Sequence, residues 1–72
     1  MRSMRDSLLR RIAQSLSELD LGISQFDVDR DPVQAINRAL RQVGGGQIQV
    51  LETPSLRRAA NALEGAVDAV SP

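Results

Sequence analysis

The sequence has no cysteine, histidine, tryptophan or tyrosine, and a single phenylalanine stands for all its aromatics. It has no lysine either, so all nine basic residues are Arg. Each absence closes a route. Without Cys there are no disulfides, and without Cys and His a structural zinc site lacks its usual ligands. Without His, Cys or Lys, the common general base near neutral pH and the thiol and amine nucleophiles are missing. Only carboxylates, hydroxyls and guanidinium groups remain. The composition therefore points to a non-enzymatic protein with no metal and no cofactor. Nine acidic residues balance the nine Arg, so net charge gives no reason to expect nucleic acid as a partner. No apolar run approaches the ~20 residues of a membrane-spanning helix. The start of the chain carries charges but no long apolar stretch, a poor match to a signal peptide, and a cytoplasmic location is expected.

What is present suits one domain spanning residues 1–72. A chain of this size buries little surface on folding, so association with itself or with a larger partner is the expected source of added stability. Apolar periodicity divides it into elements. Leu8, Leu9, Ile12, Ala13 and Leu16 recur at helical spacing, and Ser3-Met4-Arg5-Asp6 resembles a capping box, which predicts a helix over about 4–16. Leu19, Leu21 and Ile23 alternate with Asp20 and Gly22, as in a strand with one buried face. Phe26 and Val28 alternate with Asp27 and Asp29 and are expected to turn inward. Asp31-Pro32 places an N-cap before a proline at the first helical position, opening a helix over 32–43 that buries Val33, Ile36, Leu40 and Val43. Three glycines close it. Gln47-Ile48-Gln49-Val50 alternates again, predicting a strand over 48–51. Thr53-Pro54 then opens a helix to about Val70, buried through Leu56, Ala60, Leu63, Val67 and Val70, with Ser71-Pro72 ending it.

The order of these elements predicts an α/β fold, a small α-β-α-β-α unit whose two strands lie parallel with a right-handed crossover. An all-α helical bundle is the alternative. Leu9, Ile12, Leu16, Leu19, Ile23 and Phe26 fall at alternating spacings of three and four, a seam that would suit one continuous helix from 9 to 26. Gly22 in mid-helix and Leu21 pointing off the seam favour the strand.

Leu19-Asp20-Leu21-Gly22-Ile23, Phe26-Asp27-Val28-Asp29 and the helix beginning Val33-Gln34-Ala35-Ile36 together resemble the core of STAS domains, the anti-sigma-factor antagonist fold. The likeness continues through Gly45-Gly46, the segment 48–51 and Thr53-Pro54-Ser55-Leu56-Arg57-Arg58, so it covers nearly the whole chain. The resemblance implies a shortened STAS-like domain lacking the first two strands, in a bacterial regulatory protein. It also implies that Asp29, Arg30 and Asp31, with Gln34, Arg38 and Arg41 on the following helix, form a protein-docking surface. The partner would be a regulatory kinase, a transporter ATPase or a larger assembly. Arg30 stands where the family carries its phosphorylatable Ser or Thr, and Pro32 where it carries Gly; Arg cannot accept a phosphoryl group in that role, which leaves open whether any phospho-switch remains. With only two short strands, both sheet edges would stay open, and a homodimer pairing edge to edge would close them.

Other patterns have plainer readings. Asp27, Asp29 and Asp31 space like the start of a calcium loop, but Pro32 and Arg38 stand where an EF-hand needs Gly and Glu. Gly44-Gly45-Gly46 lacks the Lys-Ser/Thr of a phosphate loop and reads as a helix end. The helical alternative suggests a small assembly factor or secretion chaperone. Arg57, Arg58 and Asn61 at a helix start suggest, as a third possibility, a nucleic-acid-binding regulator.

Overall fold

The computed structural model describes residues 3–70. Four helices follow in chain order: α1 (Met4–Leu19), α2 (Gln25–Arg30), α3 (Pro32–Val43) and α4 (Thr53–Val70). No strand occurs among the described residues. The α/β expectation, with its STAS-like sheet, is thereby corrected to the all-α alternative. The expected stop at Ser71-Pro72 lies outside the described residues.

The two expected strands fail for different physical reasons. Leu19 ends α1 rather than opening a strand. Asp20 follows in the left-handed region at φ 54°, and Gly22 is left-handed at φ 74°. Two such residues in three cannot continue an extended run. The same pair breaks the rival rod over 9–26, so the seam residues Leu9, Ile12, Leu16 and Leu19 serve α1 alone. The second segment keeps part of its alternation, for Ile48 is 1% exposed while Gln47 and Gln49 face solvent. Its backbone partner, however, is a side chain. Asn37 Nδ2 donates to the Ile48 carbonyl at 2.9 Å, and the Ile48 N–H donates to Asn37 Oδ1 at 2.7 Å. One amide thus supplies the donor–acceptor pair that a neighbouring strand would provide. Without strands there are no open sheet edges, and the expected edge-to-edge homodimer loses its basis.

The helices arise from local signals. Ser3 caps α1, its hydroxyl accepting from the Asp6 N–H at 3.1 Å. Asp31 caps α3 by accepting from the Gln34 N–H at 3.3 Å, with Pro32 at the first helical position. Gly44 ends α3 at φ 78°, and the Gly45 N–H donates back to the Leu40 carbonyl at 2.8 Å. Gly45 also lies so close to Leu40 that a Cβ there would stand 3.0 Å from Leu40 Cδ2.

The core gathers one stripe from each long helix: Leu8, Ile12 and Leu16 from α1, Ile36 and Leu40 from α3, Leu56 and Leu63 from α4. Val28 of α2 seals it together with Ile23 and Ile48 from the connections. The stripes are rotated from the expected ones toward alanine. Ala35 and Ala39 are buried in α3 while Val33 and Val43 are only half-buried, and Ala59 joins Ala60 in α4. These small residues let backbones approach closely, and α1 against α4 is the most extensive packing in the molecule. Arg11 of α1 reaches Glu64 of α4. Val70, expected in the core, is 69% exposed.

Candidate functional site

The clearest surface anomaly is Phe26. Expected to turn inward, the only aromatic side chain is 67% exposed. The cause is a helix where a polar turn is expected. Ser24-Gln25-Phe26-Asp27 is a capping box that nucleates α2. The Asp27 N–H donates to Ser24 Oγ at 3.2 Å and the Ser24 N–H to Asp27 Oδ2 at 3.0 Å. Helical phasing replaces the two-residue alternation, so Val28 stays in the core while Phe26 turns out.

The Asp27 carboxylate is held below the usual carboxylate range, chiefly by the Ser24 backbone N–H, next by the Ser24 hydroxyl, with weaker attraction from Arg38 and Arg30. The other two aspartates of the run are also committed. Asp29 accepts from Gln25 Nε2 at 2.8 Å, and Asp31 caps α3. The three aspartates of the D-x-D-x-D run therefore each serve a different local partner, Ser24, Gln25 and Gln34, and do not converge on one cation.

The expected docking residues divide. Arg30, Asp31, Gln34 and Arg38 line one polar recess of about 160 Å³ between α2 and α3, together with Asp27 and Ala35. Asp29 lies on the other side of α2, in an open trough against α1 that Leu9, Arg10, Ala13 and Val28 also line. This trough exists because α2 packs on α3 and barely touches α1. Arg41 is exposed on α3 and lines neither recess. Sequence reasoning missed Asp27 and Phe26 as members of this surface, although Ser24 followed three residues later by Asp27 carries the signal.

Charge is unevenly spread. Five carboxylates and one guanidinium fall within 17–31, whereas 38–58 holds four guanidinium groups and one carboxylate. The separation is one along the sequence, for the fold sets Arg38 in one recess with Asp27 and Asp31. Among the described residues only one ion pair forms, the two-pronged contact of Arg11 Nε with Glu64 Oε2 at 2.8 Å and Arg11 NH2 with Glu64 Oε1 at 2.6 Å. That contact holds Glu64 below the usual carboxylate range and raises Arg11. At the start of α4, Thr53, Pro54, Arg57, Arg58 and Asn61 line an open concavity of about 510 Å³. Arg58 NH2 donates to the Gln47 carbonyl at 3.2 Å, whereas the Arg57 side chain makes no hydrogen bond or ion pair with the described residues.

No helix among the described residues is long and apolar enough to cross a membrane. No protein-family model, curated protein or solved structure matches the chain.

Proposed function

We propose that the chain is a small all-helical protein-interaction module of the assembly-factor kind. It acts by docking rather than catalysis, through α2 and the recess it forms with α3. The observation that carries this reading is Phe26. Placing the one aromatic ring in water forgoes about 2 kcal/mol of burial, and the capping box holds it there on a well-defined helix. Aromatic anchors rimmed by polar groups are what protein interfaces use as energetic centres. The rim here is Asp29 on one side and Arg30, Asp31, Gln34 and Arg38 on the other. Opposite charges in that recess favour a partner with a matching polar pattern and disfavour wrong ones.

The test is site-specific photo-cross-linking. A cross-linking residue replacing Phe26, carried by the whole chain in a lysate of its source, is expected to give one discrete adduct. The same residue at Val70, equally exposed, is the control. The variant Asp29→Arg should weaken that adduct without changing the helical circular dichroism. An adduct pattern identical at both positions, or one indifferent to that variant, would refute the assignment.

A further inference from the structure

The separation of charge, the outward Phe26 and the concavity on α4 point to one occupant. We propose that the partner of α2 is a second copy of this chain, whose Arg57-lined concavity at the start of α4 receives Phe26. The inference rests on reading α2 as a docking element and adds the identity of what it docks on.

The two surfaces are complementary in kind. The donor side offers an aromatic ring with Asp29 one turn further along the same helix. Arg30, the like-charged neighbour, lines the recess on the α3 side and is attracted to Asp27. The receiving side offers an open hollow lined by Thr53, Pro54, Arg57, Arg58 and Asn61, where arginine stems can cover apolar surface while their heads stay in water. Among the described residues, its guanidinium groups have no carboxylate within ion-pair distance. Guanidinium groups stack on aromatic faces and pair with carboxylates at once, so one arginine answers both features of α2. The hollow and the α2 surface share no lining residue, leaving both free in the same protomer.

Two features distinguish a second copy from other partners. A polyanion such as nucleic acid would satisfy Arg57 and Arg58 but would be repelled by the acidic 17–31 segment and would leave Phe26 in water. An unrelated basic protein would satisfy α2 and leave the α4 hollow unused. A copy satisfies both surfaces, and it explains why equal numbers of opposite charges form so few pairs within one protomer.

The experiment is analytical ultracentrifugation of the whole chain. At low ionic strength the weight-average mass is expected to rise above the 7.8 kDa of one chain with concentration, and to return toward it in high salt. Phe26→Ala should abolish the rise. Asp29→Arg and Arg57→Glu should each weaken association at least about tenfold, and the chain carrying both changes should recover most of the loss, because each altered group meets its altered counterpart on the other copy. Neither residue lies in the core, so circular dichroism should stay that of the parent. A mass of one chain at every concentration and salt, or a double variant no better than the singles, overturns the proposal. So does salt-dependent binding of a DNA oligonucleotide through Arg57 without self-association. A discrete cross-link from position 26 to a different polypeptide, with the chain itself monomeric, overturns this inference while leaving the docking role of α2 in place.

Discussion

Replacing Asn37 with Ala tests whether one amide stands in for a strand. The side chain makes two hydrogen bonds to the backbone of Ile48, at 2.7 and 2.9 Å, next to a side chain that is 1% exposed. Removing it orphans a backbone N–H and a C=O in a partly buried place. Each unpaired group costs about 1–3 kcal/mol, and partial hydration of the carbonyl puts the sum at about 2–4 kcal/mol. A domain of this length is stable by only about 4–11 kcal/mol, so the loss takes a large share. Urea unfolding followed by circular dichroism should show the midpoint falling by at least about 1 M. Asn37→Asp refines the test. At neutral pH its carboxylate still accepts from the Ile48 N–H but offers no donor to the Ile48 carbonyl. Protonation restores a donor, so the deficit relative to the parent should shrink as pH falls below ~4. A cost for Asn37→Ala below ~0.5 kcal/mol, or an Asp variant whose deficit ignores pH, would show that the amide does not hold the Ile48 segment.

Other expectations follow from the same coordinates. Asp20→Gly should raise stability by up to ~1 kcal/mol, since Asp20 adopts φ 54° at the end of α1, and Gly44→Ala should lower it by about as much; thermal melts measure both. Glu64 has its folded-state pKa depressed by Arg11, so the unfolded chain binds its proton more readily. The resulting stabilisation is full above the usual carboxylate range and is lost as pH falls through the depressed value. The gap in melting temperature between the parent and Glu64→Gln should therefore close in acid, and a gap that persists there would exclude the ion pair as its source. Phe26→Ala should leave stability in urea within the scatter of neutral surface changes, about ±0.5 kcal/mol, because Phe26 is 67% exposed and lies outside the buried core.

Three of the four helices were legible as helices because their caps and periodicity agree. Ser3, Asp31-Pro32 and Thr53-Pro54 mark the starts, and Leu8, Ile12, Ile36, Leu40, Leu56 and Leu63 are buried as their spacing requires. The strands were misread because alternation reports burial, not hydrogen-bond partners. Ile23 and Ile48 are buried as alternation requires, yet left-handed geometry ends the first segment and a side-chain amide pairs the second. Such long-range facts have no local signature. The resemblance to STAS domains drew on the same alternating segments, and the sheet it implied went with them. The docking residues fared better in part. Arg30, Asp31, Gln34 and Arg38 do share one recess, because Asp31 joins two helices end to end and fixes their angle. Asp29 and Arg41 fell elsewhere because helical phasing of α2 and α3 turns them to other faces. Phe26 was placed inside by a two-residue period that the Ser24–Asp27 capping box overrides.

The account stands on Phe26 and Arg57 meeting across two copies of the chain. A dilution series of amide correlation spectra by NMR observes this contact residue by residue. Peaks of residues 25–29 and of Thr53, Arg57, Arg58 and Asn61 should shift together as concentration rises, while those of the α1 and α3 core stay fixed. Spectra that superimpose from the lowest to the highest concentration, or shifts confined to one of the two surfaces, would contradict it.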